Sequence, residues 1–148
     1  MKQIGVGILG FGTVGAGVAD GLLKHRDVMA KRLDVDIVLK KIADLDITTD
    51  RGIAVPAGIL TTDAAATIAD PEIQIIVETI GGTGIAKKFV LDALNAKKCV
   101  VTANKKLLAE YGKEIRPGFF QMKIDATQCA GCRQCSQVCK FGAIRRVR

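Results

Sequence analysis

No run of uncharged apolar residues in this 148-residue chain reaches the roughly 18 positions that a membrane span needs. Met1-Lys2-Gln3 leads directly into a strand-like pattern, without the charged, apolar and small-residue regions of a secretory signal in order. The expectation is a cytoplasmic protein with no membrane partner. There is no internal repeat and no low-complexity segment, which excludes solenoids and biased linkers. With 49% hydrophobic residues the chain has enough apolar side chain for a core, and its length suits one ordinary domain.

Cysteine is almost absent from most of the chain. Cys99 stands alone until four more fall between Cys129 and Cys139. Acid is nearly absent from the same end. Residues 116–148 carry 7 Lys/Arg against the single acid Asp125, or +6, whereas residues 1–115 come to +1. The tail's positive charges are mostly single and have little aromatic interleaving, so nucleic acid is not the expected partner. Dense cysteines in a chain without a secretory signal favour metal or cluster binding over disulfides.

What is present is an alternation of apolar runs and helical periodicity. Gln3–Leu9, Val35–Ala43, Gly58–Thr62, Ile73–Glu78 and Lys98–Thr102 read as strands. Between them lie helical patterns over Thr13 to about Leu33, Asp63 (as N-cap) to about Asp70, Ile85–Ala96, and Asn104 to about Ile115. Near-continuously apolar strands alternating with helices predict an α/β fold, a Rossmann-like doubly wound parallel sheet. Arg116-Pro117-Gly118 breaks this pattern, and the expected boundary separates a dinucleotide-binding domain, 1–115, from a basic, cysteine-rich segment, 116–148.

G-x-G-x-x-G matches twice, at Gly5, Gly7, Gly10 and at Gly10, Gly12, Gly15. Only the second follows a full strand and opens a long helix, which is the context the motif requires. Gly10 should make the tight turn, Gly12 should let backbone approach a pyrophosphate, and Gly15 should let the helix pack on the sheet. The phosphates would sit at the helix N-terminus. Phe11, Thr13 and Val14 fill the turn and are cofactor-binding by position. Asp44, ending the second strand, can accept hydrogen bonds from ribose hydroxyls and favours NAD. Arg51 lies near enough in sequence to serve a 2′-phosphate instead, so NAD against NADP stays open.

Gly10-Phe11-Gly12-Thr13-Val14-Gly15, then Val77-Glu78-Thr79-Ile80-Gly81-Gly82, then Val101-Thr102-Ala103-Asn104-Lys105 resemble the homoserine dehydrogenase family in order and approximate spacing. The resemblance covers residues 1 to about 115. It implies an oxidoreductase of amino-acid biosynthesis that interconverts homoserine and aspartate 4-semialdehyde with NAD(P), a small-molecule substrate beside the dinucleotide. It implies that Gly81, Gly82, Thr102 and Asn104 line the nicotinamide side and that Lys105 is catalytic and touches the cofactor. An ammonium there can polarise a carbonyl and stabilise a developing alkoxide. Read without the resemblance, Lys105 is a solvated lysine in a helix's first turn, and Glu78 is a strand-ending acid.

The family continues into a substrate domain, and nothing in residues 116–148 resembles it. The expectation is therefore a cofactor-binding half whose catalytic set is incomplete. Cys129, Cys132, Cys135 and Cys139 instead form C-x2-C-x2-C-x3-C, which resembles the [4Fe–4S] run of bacterial ferredoxins, with Lys140 where that pattern has proline. Zinc is the alternative metal. The fourth cysteine of such a run ligates a second cluster in two-cluster ferredoxins, so a homo-oligomer sharing a cluster is one expectation and an unstable cluster the other. Cys99, in an apolar strand, reads as buried packing. An iron–sulfur electron-transfer protein and a non-catalytic dinucleotide-binding module are the alternatives to an enzyme.

Overall fold

The computed structural model describes residues 1–115. Five parallel strands form one sheet: β1 (Lys2–Leu9), β2 (Val35–Ala43), β3 (Leu60–Thr61), β4 (Ile75–Glu78) and β5 (Cys99–Thr102). Their spatial order is β3-β2-β1-β4-β5. The helices α1 (Thr13–Lys24), α2 (Arg26–Leu33), α3 (Ala64–Ala69) and α4 (Gly84–Asn95) lie in the connections between strands, and α5 (Lys105–Ile115) follows β5. This is the doubly wound architecture expected from the alternation of elements.

The order reverses between β1 and β4. The chain winds outward through β2 and β3, returns to β4 and winds the other way to β5. A crevice opens outside the carboxyl ends of the strands at such a switch point, and open α/β sheets bind ligands there. The central strands β1, β2 and β4 are covered on both faces by apolar side chains. Val6, Ile8, Leu39, Ile42 and Val77 pack with Ala16 and Ala19 of α1, whereas Leu9, Ile73 and Ile76 pack with Ile68 of α3 and Ala93 of α4. Gly5 and Gly7 lie within β1. A Cβ on Gly5 would stand 1.9 Å from the Glu72 carbonyl oxygen. These two glycines serve close packing inside a strand, and the turn belongs to the second triplet.

Two elements differ from the sequence expectation. The helix expected from Thr13 to Leu33 is two helices, broken at His25, whose φ of −108° and ψ of 13° are not helical. The apolar row of α1 ends near Leu23, and α2 buries no residue, so packing does not hold the two segments on one axis. An ion pair across the α2–β2 connection fixes α2: the Arg26 guanidinium bonds both carboxylate oxygens of Asp36 on β2, at 2.7 and 2.6 Å. Cys99, expected in the interior, is exposed, because β5 is the last strand of the described sheet.

Arg26 and Gln3 hold the Asp36 carboxyl down to about 2 from its ordinary 3.8. A carboxyl depressed on folding stabilises the fold above its unfolded value and loses that contribution as pH falls through its folded value. The thermal midpoint should therefore fall more steeply between about pH 3.8 and about pH 2 in the parent than in Asp36→Asn. The pair is partly exposed, so the difference is small. Equal slopes in an acid melting series would show that the pair contributes nothing.

Candidate functional site

The chain leaves β1 at Leu9 and turns at Gly10, whose φ of +99° is a left-handed conformation that only glycine takes freely. Gly10 N–H donates to the Ala43 carbonyl at 2.8 Å, which ties the turn to the end of β2. Thr79, just past β4, closes the other side. Its hydroxyl donates to the Gly10 carbonyl at 2.8 Å. Gly15, one turn into α1, lies so close that a Cβ would stand 1.9 Å from that same carbonyl oxygen. Gly12 is different. It is the N-cap of α1, no side chain caps the helix, and nothing lies within 4 Å of where its Cβ would be. The first turn of α1 thus has an open approach with free N–H groups and the positive end of the helix dipole behind it.

Gly10 and Gly12 face a cavity of about 870 Å³. The ends of β2 and β3, the start of α3, the Thr79-Ile80 turn and α4 complete its walls, with Asp44, Leu45, Ala64, Ala65, Ile85 and Phe89 among the lining residues. Asp63 shapes one wall by capping α3, accepting from Ala66 N–H at 2.8 Å. The cavity lies at the switch point, it is largely apolar, and its polar groups converge at the glycine turn. That is the usual form of a small-molecule site.

Asp44 lines this cavity, but both its oxygens already hold backbone. Oδ2 accepts from Phe11 N–H, and Oδ1 accepts from Asp46 N–H at 2.8 Å. Phe11 turns its ring into the core, where it is 3% exposed. Thr13 and Val14 are exposed on the first turn of α1, and Thr13 lines a second, smaller depression together with Gly12 and Arg51. Arg51 reaches the wall shared by both hollows. Its Nη2 donates to Asp46 Oδ2 at 3.0 Å. Hydrogen bonds from Thr49 and Thr48 hold the Asp46 carboxyl well below the usual carboxylate range.

A second polar cluster joins the ends of β4 and β5. Glu78 is fully buried, yet each oxygen is satisfied. Oε1 accepts from Ile80 N–H at 2.8 Å, and Oε2 accepts from the Thr102 hydroxyl. Thr102 Oγ1 in turn accepts from Asn104 N–H at 3.0 Å. The Asn104 carboxamide oxygen accepts from Leu107 N–H at 3.0 Å, capping α5, and its Nδ2 donates to the Gly82 carbonyl. Gly81 and Gly82 both have positive φ, +81° and +68°, so this turn is built on glycine conformations. Glu78, Thr102 and Asn104 thereby hold the Gly81-Gly82 turn beside the start of α5. Lys105 is exposed on the first turn of α5, at the carboxyl edge of the sheet. It is not one of the residues lining either hollow.

Sequence patterns had brought out the glycines, Asp44, Arg51 and the β4 and β5 turns. They missed the Thr79 lock on Gly10, the Asp46–Arg51 contact, and the apolar wall from α3 and α4. Thr79 meets Gly10, and α3 and α4 meet the glycine turn, only through long-range packing; the Asp46–Arg51 contact spans five residues of an irregular loop, and neither such a loop nor an isolated threonine after a strand carries a periodic signal. Cys129, Cys132, Cys135 and Cys139 lie outside the described residues. Among the described residues no group of three or more His, Cys, Asp or Glu could hold a metal ion, and no helix is long and apolar enough to cross a membrane.

Residues 10–119 match the family model described as "Homoserine dehydrogenase, NAD binding domain", and residues 122–145 match "4Fe-4S binding domain". The chain is similar to the homoserine dehydrogenase of Bacillus subtilis, at 41% identity over 115 residues, covering 78% of this chain and 27% of the relative. It is similar to that of Neisseria gonorrhoeae at 43% identity over 117 residues, covering 79% and 27%. A crystal structure of Staphylococcus aureus homoserine dehydrogenase superposes with a TM-score of 0.72 at 36% identity, covering 78% of this chain and 29% of that one. The chain thus spans about a quarter of the length of the relatives it matches. With a parallel switch-point crevice, a glycine turn opening α1 and a family match over residues 10–119, the chain belongs to the homoserine dehydrogenase NAD-binding domain family.

Proposed function

We propose that residues 1–115 bind NAD(P) across the switch point, with the pyrophosphate over Gly12 and the first turn of α1. The observation that carries this is the open face of Gly12. Its neighbours Gly10 and Gly15 are walled in by backbone, and Gly12 alone leaves space in front of an uncapped helix N-terminus. The apolar wall of Leu45, Ala64, Ala65 and Phe89 suits a flat base. Asp44 lies at the end of β2, where an acid can meet the ribose, and Phe11, Thr13 and Val14 surround the phosphate turn. Gly81, Gly82, Thr102 and Asn104 would form the nicotinamide side.

The activity proposed by kinship is hydride transfer between homoserine and aspartate 4-semialdehyde. The nicotinamide, when bound, supplies or takes the hydride. This chain's part is to hold the ring edge at the β4 and β5 turns and to place the Lys105 ammonium near the substrate oxygen. Lys105→Ala is expected to change dinucleotide affinity less than about threefold and, where homoserine turnover is measurable, to reduce it about a hundredfold or more. A large loss of affinity in Lys105→Ala would assign the lysine to binding instead. Titrating both dinucleotides into anaerobically purified chain, with homoserine-dependent reduction followed on the same sample, tests the reading. Binding without turnover makes the chain a dinucleotide module, and turnover makes it an enzyme.

A second reading, for residues 116–148 as a separate segment, rests on the match at 122–145 and the four-cysteine spacing. Cys129, Cys132, Cys135 and Cys139 would hold a [4Fe–4S] cluster with an electron-transfer role. Counting iron, zinc and acid-labile sulfide on the same anaerobic sample decides between a cluster, zinc and neither. The setting proposed for both activities is the cytoplasm; where Cys139 ligates a neighbouring cluster instead of its own chain's, homo-oligomerisation is the route by which two copies complete each other's clusters.

A further inference from the structure

We propose that residues 120–124 dock as a strand on the outer edge of β5, parallel to it, and so carry the cysteine run to the carboxyl edge of the sheet. The proposal depends on neither the dinucleotide reading nor the cluster reading.

The docking surface is a row of backbone groups. Among the described residues β5 pairs only with β4, at the end of the order β3-β2-β1-β4-β5. Cys99 N–H donates to the Gln74 carbonyl at 2.9 Å, and Ala103 N–H donates to the Glu78 carbonyl at 3.4 Å. Successive residues of a strand turn their N–H and C=O to opposite sides, so Val101 also bonds toward β4. Val100 and Thr102 therefore aim their backbone donors and acceptors at the outer edge. Such a row is a template for another strand, and native sheets pair it, cover it or blunt it. Cys99–Thr102 holds neither charge nor proline to blunt it, and its register with β4 runs without a bulge.

The two faces of β5 differ, and the difference selects the occupant. Val100 packs against Ala86 and Val90 of α4 with Leu107 and Ile115 of α5. On the other face Cys99 is exposed and Val101 is 55% exposed. A strand added here needs one apolar row and one polar row. Residues 120–124 lie outside the described residues, and their sequence, Phe-Gln-Met-Lys-Ile, has that alternation. Phe120, Met122 and Ile124 match the covered face of β5. Gln121 and Lys123 match the exposed one, and lysine is a common guard of a new edge.

The winding of the chain brings this segment to that edge. β4 leads through α4 to β5, one place further out in the sheet. α5 packs on the same face as α4, since both helices meet Val100. Parallel crossovers share one hand, so a strand that follows α5 falls one place beyond β5. Residues 116–119 join Ile115 to it, a usual length between a helix and the next strand, with Pro117 and Gly118 suited to a helix end. A strand parallel to β5 ends level with Thr102, and Cys129 stands five positions past Ile124. The cysteine run then begins at the carboxyl edge, where the Gly81-Gly82 turn also lies.

The test is amide hydrogen exchange by NMR on the full chain, purified anaerobically, and on Met122→Asp and Gln121→Asp. Val100 and Thr102 are the reporters, and Val101, bonded toward β4, is the control for an intact sheet. In the parent both reporters should exchange at least about a hundredfold slower than unpaired amides, equally over a roughly tenfold range of protein concentration. Met122→Asp should speed both by about tenfold or more while Val101 stays protected, and Gln121→Asp should change them less than about threefold. Unprotected reporters in a parent whose Val101 is protected would overturn the proposal. So would reporters whose protection survives Met122→Asp. Protection that grows with concentration, alongside a dimer in sedimentation, would overturn it too and give the edge to a second copy of the chain.

Discussion

Gly15→Ala is expected to destabilise the domain by at least about 3 kcal/mol, lowering its thermal midpoint by roughly 10 °C. The sign is the informative part. Within a helix, alanine is worth up to about 1 kcal/mol more than glycine, so local propensity alone predicts a gain. The added Cβ would stand 1.9 Å from the Gly10 carbonyl oxygen and 2.8 Å from Thr79 Oγ1. The first of these is backbone, and the second is a hydroxyl that already holds that same carbonyl. Neither can step aside without opening the turn that joins β1, β2 and β4. Overpacking therefore exceeds propensity. Gly21→Ala, in the same helix with nothing within 4 Å of the new Cβ, serves as the control and should stabilise by up to about 1 kcal/mol. If both variants melt above the parent, the close contact between α1 and the glycine turn is wrong.

Gly12→Val should do the opposite, leaving the fold and removing the ligand. The backbone at Gly12, φ −69° and ψ −166°, is open to any residue, and its Cβ would meet nothing within 4 Å. Valine is a poorer N-cap than glycine, so a loss of about 1 kcal/mol is expected and the domain stays folded. The valine methyls would occupy the space in front of the α1 N-terminus, where backbone must approach a pyrophosphate closely. Affinity for NADPH and NADH should drop about a hundredfold or more, for both alike, since the pyrophosphate is common to them. Calorimetric titration beside a melting curve separates this outcome from misfolding. Undiminished binding in folded Gly12→Val would move the phosphates elsewhere.

The two glycines show where sequence was informative. Their spacing after a seven-residue apolar run and before a helical pattern was enough to place the turn, because the motif depends on local backbone requirements. The α/β alternation was legible for the same reason, and four of the five strands end where their apolar runs end, at Leu9, Ala43, Glu78 and Thr102. What was not legible depends on partners distant in the chain. Nothing near His25 signals a helix break, since neither proline nor glycine stands there. The break follows from where α1's buried row stops and from an Arg26–Asp36 pair across the α2–β2 connection. Thr79 looks like any residue after a strand, and only folding brings its hydroxyl onto Gly10. Glu78 could be read as a strand-ending acid. Its burial among Ile80, Thr102 and the Gly81-Gly82 turn makes it the brace of the β4 and β5 turns. Asp44 was legible by its type and place at the end of β2, and what folding adds is that its two oxygens also brace backbone at Phe11 and Asp46.

The most direct test of the account is amide chemical-shift mapping of the isotope-labelled full chain titrated with NADPH. Saturable shifts are predicted at Gly10 to Gly15, at Asp44 to Arg51 and at Thr79 to Gly82, on the cavity that opens between β1 and β4. The opposite face of the sheet edge, at the amino ends of the strands near Lys2, Val35 and Gln74, should stay still. Saturable shifts confined to those amino ends, or none in a chain whose spectrum is that of a folded domain, would contradict it.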